Sequence, residues 1–143
     1  MAFWLLKSEP DVFSWDDLVA RGADGEPWTG VRNHSAKLNL MAMRRGDQAF
    51  FYHSQAGKAI VGVAEVIREA YPDPTDPKGV FVCTDLMAVA PLKTPFTLAQ
   101  AKADPALQTM SLVTSFRLSV QPVTDTEWSH ILSVSEFAGV DKE

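Results

Sequence analysis

The sequence is short of the residues that most often carry chemistry. Cys83 is the single cysteine, so neither an intramolecular disulfide nor a cysteine-based zinc site can form, and a reducing cytoplasm is the expected compartment. The three histidines, His34, His53 and His130, make no His-x-x-x-His pair and have no carboxylate at ligand spacing, which leaves a metal centre without support. Each reads as a surface or hydrogen-bonding histidine. Gly-x-Gly-x-x-Gly, Gly-x-x-x-x-Gly-Lys and Gly-x-Ser-x-Gly are all absent, so nucleotide-cofactor folds and the usual serine nucleophile lose their basis and no cofactor is expected. Apolar runs fall well short of the roughly 20 residues that span a bilayer, and the opening MAFWLLKSEP lacks a basic n-region and a cleavage site, so neither membrane nor export is expected. Positive charge is also scarce: 13 Lys and Arg against 18 Asp and Glu leave a formal charge of -5, which argues against nonspecific coating of a polyanion.

What is present describes an ordinary globular chain. With 143 residues, 46% apolar and 22% charged, one compact domain over residues 1–143 is expected. Ala2 to Lys7 reads as a strand, and Ser14 as the N-cap of a short helix ended by Gly22. Asn33 or Ser35 caps a helix through Met43 with Leu38, Met41 and Leu40 inward. Gln48–His53 and Lys58–Ile67 form a hairpin about Gln55-Ala56-Gly57, and Tyr71 to Pro77 makes a surface loop. Val80–Val89 is a further strand closed by Pro91 and Pro95. Thr97 caps a helix through Lys102, and Asp104-Pro105 starts another through Met110. Phe116–Val123 returns to strand, and Thr124-Asp125-Thr126-Glu127 has the spacing of a capping box before a final helix. Five strands interrupted by short helices predict an α+β fold, a small mixed β-barrel with peripheral helices.

Charge is unevenly spread. Between Arg32 and Lys58 the bases Arg32, Lys37, Arg44, Arg45 and Lys58 face the single acid Asp47. Between Gln121 and Glu143 the acids Asp125, Glu127, Glu136, Asp141 and Glu143 face only Lys142. The basic stretch reads either as a solvated helix face or as an edge for phosphate. Trp28, in Trp28-Thr29-Gly30-Val31-Arg32-Asn33, and Tyr52, in Tyr52-His53-Ser54, lie near it, and aromatics beside bases suit a stacking platform. Trp28 reads equally as a core plug, whereas Phe3, Trp4, Trp15, Phe50 and Trp128 read as core.

Three ordered segments carry a family resemblance: Phe3-Trp4-Leu5-Leu6-Lys7-Ser8-Glu9-Pro10 with Phe13-Ser14-Trp15-Asp16-Asp17-Leu18; Trp28 to Asn33 with Asn39-Leu40; and Gly46-Asp47 through Phe51-Tyr52-His53-Ser54 to Gly62-Val63-Ala64-Glu65-Val66. Together they resemble the EVE domain of the thymocyte nuclear protein 1 family, and the likeness runs on to Arg117-Leu118-Ser119-Val120. The resemblance implies a PUA-like fold, related to YTH domains, and a module that takes a modified base of DNA or RNA into a pocket. It implies Lys7, Ser8, Glu9, Trp28, Val31, Asn33, Tyr52, His53 and Ser54 around the base, with Lys7, Arg32, Lys58 and Arg117 on phosphate. Glu9 would accept from an exocyclic amine and Trp28 would stack. Because aromatics beyond Trp28 and Tyr52 are not identified for a three-sided cage, selectivity falls to Glu9, Asn33 and the modification itself.

A non-catalytic reader of modified DNA or RNA, acting as a monomer, is therefore the leading expectation. An enzyme acting on a modified nucleotide, with Glu9 or His53 as general acid or base, is the alternative. A protein-interaction module built on the acidic C-terminal region is a third.

Overall fold

The computed structural model describes residues 1–115 and 117–135. Its elements in chain order are β1 (Phe3–Ser8), α1 (Trp15–Arg21), β2 (Glu26–Pro27), α2 (His34–Ala42), β3 (Gln48–His53), β4 (Ala59–Pro72), β5 (Val82–Thr97), α3 (Leu98–Ala103), α4 (Ser111–Thr114), β6 (Val120–Val123) and α5 (Asp125–Ser135). Single 3-10 turns occupy Gly22–Asp24 and Pro105–Leu107. Glu136, Asp141, Lys142 and Glu143, on which the C-terminal charge argument partly rests, lie outside the described residues, as does Phe116.

Local signals place most helix starts. Ser14 and Asp17 form a reciprocal capping box on α1, Thr97 and Gln100 another on α3, and Thr124 and Glu127 exchange the same pair of bonds ahead of α5. Asn33, rather than Ser35, caps α2 by accepting from the Ala36 N–H at 2.9 Å. The inward face of α2 differs from expectation: Ala36, Leu40 and Met43 are buried, while Leu38 is 51% and Met41 47% exposed. Apolar residues occur on every side of this helix, so spacing alone does not select the face.

The strands form one mixed α+β sheet in the order β2-β5-β4-β3-β1-β6, with β1 parallel to β3 and the other pairs antiparallel. Among the described residues it has six strands and is not closed, which corrects the five-stranded barrel. The added strand is the two-residue β2, where Glu26 and Pro27 pair with Leu86 and Asp85. β5 also runs past Pro91 and Pro95 to Thr97. Among the described residues β4 alone flanks β5 beyond its short pairing with β2, so a proline without an N–H costs no ladder bond on the other side. β6 begins only at Val120, and the buried Gln121 amide on it donates to the Ser115 and Leu118 carbonyls at 3.1 and 3.0 Å.

β1 and β3 are central and covered on both faces, so their sequences read as continuous apolar runs. Trp4, Leu6 and Phe51 pack on one face with Trp15 and Leu18 of α1, Trp28, and Leu40 of α2. Leu5, Phe50 and Tyr52 pack with Phe96, Trp128 and Ile131 in a second cluster. Trp128 stacks between Phe50 and Phe3, with ring centroids 4.0 and 4.4 Å away. Gly62 admits the Trp15 indole onto β4: a Cβ there would lie 2.5 Å from the ring.

Candidate nucleic-acid interface

The parallel pairing of β1 and β3 brings their carboxyl ends together, and a cleft of about 640 Å³ opens there. Its first wall is the end of β1 and the turn that follows. The Val12 and Phe13 N–H groups both donate to the Glu9 carbonyl at 2.9 Å, and Ser8 Oγ donates to the Phe13 carbonyl at 2.5 Å. Ser54 N–H donates to the Ser8 carbonyl at 2.9 Å, which joins the end of β3 to this wall.

The opposite wall is β2 and the loop after it. Gly25, at φ 69°, lies so close to β5 that a Cβ would meet the Leu86 carbonyl oxygen at 2.5 Å, so only glycine permits the approach. Trp28 N–H then donates to the Thr84 carbonyl at 2.7 Å. The Trp28 indole is only 8% exposed and meets Phe13 and Phe51 edge-on, at 6.2 and 5.6 Å between centroids. It also lines the cleft, so its core and site readings describe the same ring.

Beneath this loop sits Asp73, 2% exposed. Its Oδ2 accepts from Gly30 N–H at 2.8 Å and from Arg32 Nη1 at 3.1 Å, and its Oδ1 accepts from Thr75 N–H at 2.7 Å and Thr75 Oγ1 at 2.6 Å. Burial alone would raise its pKa, but the bonds from Thr75, Gly30 and Arg32 outweigh it and hold the carboxyl at about 2. Asp73 thus fastens the segment after β4 to the loop that carries Trp28.

The cleft gathers Lys7, Ser8, Glu9, Trp28 and Ser54. Glu9 is exposed at its rim, and burial lowers the Lys7 pKa. The remaining expected residues lie elsewhere. Val31 is buried beside Trp28 in the first cluster. Tyr52 belongs to the second cluster, its ring 5.7 Å from Lys7 Nζ, and burial raises its pKa. His53 Nε2 accepts from the Trp15 N–H at 3.0 Å, so this nitrogen serves the first turn of α1. Burial lowers the His53 pKa, with Asp16 opposing. Asn33 and Arg117 line a separate cavity of about 410 Å³. Arg32 is engaged by Asp73, by Thr75 Oγ1 at 3.0 Å and by the Phe81 ring at 5.5 Å. Lys58 sits in the β3–β4 turn at φ 40°, outside the cleft lining.

Contributors outside the expected set include Phe13, Arg21 and Glu26 in the lining and Asp73 beneath the loop. Arg21 and Glu26 both line the cleft and pair at 2.8 Å, and Arg21 lies 5.6 Å from the Phe13 ring. No local spacing marks any of them. Among the described residues no cluster of three or more His, Cys, Asp and Glu is arranged to hold a metal ion, and no helix is long and apolar enough to cross a membrane.

Comparison with known proteins agrees with this architecture. The EVE domain profile matches residues 2–134. Mouse thymocyte nuclear protein 1 is 36% identical over 94% of this chain and 74% of its own length. Among solved structures, Rpa0253 from Rhodopseudomonas palustris is 63% identical with a TM-score of 0.91, covering 95% of this chain and 94% of that one. The human THYN1 protein, solved in complex with 5-methylcytosine containing DNA, is 34% identical with a TM-score of 0.88, covering 95% of this chain and 98% of that one. A YTH domain from Zygosaccharomyces rouxii, solved with N6-methyladenosine RNA, shares the fold alone, with a TM-score of 0.54 at 14% identity over 99% of this chain and 88% of that one. An open sheet whose central strand ends frame a cleft, and a profile match spanning nearly the whole chain, place this protein in the EVE domain family.

Proposed function

We propose that the protein is a non-catalytic reader of a modified base in nucleic acid, with modified DNA the first candidate. The observation that carries the reading is the cleft at the β1 and β3 ends, where Lys7, Ser8, Glu9, Trp28 and Ser54 converge in a volume of about 640 Å³, a size suited to a small ligand. The 5-methylcytosine containing DNA of the human THYN1 structure supports the same ligand class. Turning a paired base out of a duplex costs a few kcal/mol, and stacking on one aromatic returns about 1–3 kcal/mol. Stacking on Trp28 thus comes close to break-even, and selectivity falls to polar groups of the cleft walls. Phosphate contacts add a salt-dependent share that carries no base information.

The enzyme alternative draws less support. His53 Nε2 is occupied by the Trp15 N–H, and Glu9 stands at the exposed rim rather than in a desolvated pocket.

The test is titration of wild type and Trp28→Ala with DNA and RNA oligonucleotides bearing 5-methylcytosine, N6-methyladenine or no modification, at one stated salt concentration. The expected result is preference for a modified strand by about tenfold, largely lost in Trp28→Ala. Equal, weak affinity for every strand removes the proposal. Mass spectrometry of the recovered strands is expected to show no change, and an altered mass moves the protein to the enzyme alternative.

A further inference from the structure

The cleft wall opposite Glu9 holds an ion pair that neither the family features nor the sequence reading assigns. Arg21 closes α1 and Glu26 opens β2, and both side chains line the cleft. Arg21 Nε donates to Glu26 Oε1 at 2.8 Å, while the guanidinium lies 5.6 Å from the centroid of Phe13, whose ring in turn packs on Trp28. The pair is open to solvent and so to a ligand, the Arg21 side chain 51% and that of Glu26 28% exposed. Among the described residues the two Nη groups of Arg21 and the Oε2 of Glu26 have no other hydrogen-bond partner. The wall therefore offers, side by side, a carboxylate acceptor and a set of guanidinium donors, both anchored beside the aromatic that borders the site.

This pattern has a definite complement. The Watson–Crick edge of cytosine presents an amine donor at N4 next to an acceptor at N3, and that of adenine presents an amine at N6 next to an acceptor at N1. Thymine, uracil and hypoxanthine present the reverse, a keto oxygen next to an N–H. In the pose that sets pyrimidine position 4 or purine position 6 against Glu26, a keto base directs its oxygen at the carboxylate and its ring N–H at the guanidinium, and a bound base that covers the pair leaves those groups unmet, which is unfavourable.

We infer that Arg21 and Glu26 form the specificity-determining pair of the cleft, selecting bases that carry an exocyclic amine and rejecting their keto counterparts. The inference rests on the base-reading function proposed above. Glu26 accepts from the amine, and Arg21 donates to the adjacent ring nitrogen. In 5-methylcytosine the methyl group lies at C5, off this edge, so for that base the two selections are separable.

5-Methylcytosine and thymine provide the test, since both carry the 5-methyl group and differ in the amine or keto group at position 4 and in the ring nitrogen beside it. Single-stranded oligonucleotides with one central 5-methylcytosine, thymine or cytosine, and a parallel set with adenine or hypoxanthine, are titrated against the full chain. Wild type is expected to favour the amine base over its keto partner by about tenfold or more. Glu26→Ala is expected to reduce that ratio to about twofold while the preference for 5-methylcytosine over cytosine stays. Glu26→Gln, which keeps the side-chain volume, replaces it if the alanine variant melts early. A wild type that binds amine and keto bases equally, or a folded Glu26 variant that keeps the full ratio, overturns the inference. If wild type still separates modified from unmodified bases in that case, the reader function stands and only the role of the pair falls. If it separates none of them, both fail together.

Discussion

Two buried aspartates, Asp47 just ahead of β3 and Asp73 just after β4, are put to different uses. Asp47, 4% exposed, accepts from Ala2 N–H at 3.1 Å, Trp4 Nε1 at 3.0 Å and Arg44 N–H at 2.9 Å. The partners lie in β1, in the residue just before it and in the segment leading into β3, so this carboxylate consolidates the core. After β4, Asp73 binds Gly30, Arg32 and Thr75, all in loops. The same chemistry therefore consolidates the core around β1 and β3 in one place and, in the other, fastens two irregular segments, one of which carries Trp28 at the cleft. A buried carboxylate with several backbone donors is a rigid joint; whether it serves stability or function depends on what it joins.

The contrast can be broken by substitution. Asp47→Ala leaves the Trp4 indole N–H and two backbone N–H groups without their acceptor in the interior, and a loss of about 3 kcal/mol is expected in chemical denaturation. Asp73→Asn keeps one acceptor oxygen and acts on loops, so about 1 kcal/mol is expected, together with roughly a tenfold loss of modified-base affinity. If the two variants lose stability equally and Asp73→Asn binds as wild type, the functional distinction between the two aspartates disappears. A sharper form compares salt dependence. Arg32→Ala is expected to weaken binding without changing the slope of log affinity against log salt, because Arg32 is engaged by Asp73 and Thr75; a slope lowered by about one would make it a phosphate ligand.

The smallest expected effect is on pH. His53 is neutral where it accepts the Trp15 N–H, and its pKa is lowered from 6.5 by burial. The unfolded chain therefore binds this proton more readily than the folded one, so the contribution is complete above about pH 6.5 and is lost as pH falls through the lowered value. Burial acts to raise the Asp47 pKa, yet hydrogen bonds from Trp4, Arg44 and Ala2 leave it below the usual 3.8, so its contribution is complete above that pH and fails only in stronger acid. Stability curves of wild type and His53→Gln, which retains an acceptor, should diverge below pH 6.5 and agree above it.

Much of the fold was legible because its signals are local. Ser14 with Asp17, Thr97 with Gln100 and Thr124 with Glu127 sit three residues apart, the distance over which a side chain reaches an unsatisfied helix N–H. The hairpin of β3 and β4 was likewise legible from its turn residues and flanking apolar runs. The misreadings came where neighbours decide. Pro91 ends a strand only if both edges are paired, and Leu38 faces inward only if something packs over it.

The site divides in the same way. Lys7, Ser8, Glu9 and Trp28, which line the cleft, were singled out through motifs contiguous in the chain. Asp73 reaches Gly30 and Arg32 across 43 and 41 residues, and the meaning of Arg21 with Glu26 depends on a cleft that two distant strands create. The sequence by itself determined the helix caps, the strand-forming runs, the lack of metal and disulfide chemistry from cysteine, and the family. Only the tertiary structure decided that the sheet stays open, which face of α2 is buried, and which charges border the cleft. Hydrogen bonds within a turn are set by spacing along the chain, whereas burial and long-range pairing are set by which surfaces the packed sheet brings together.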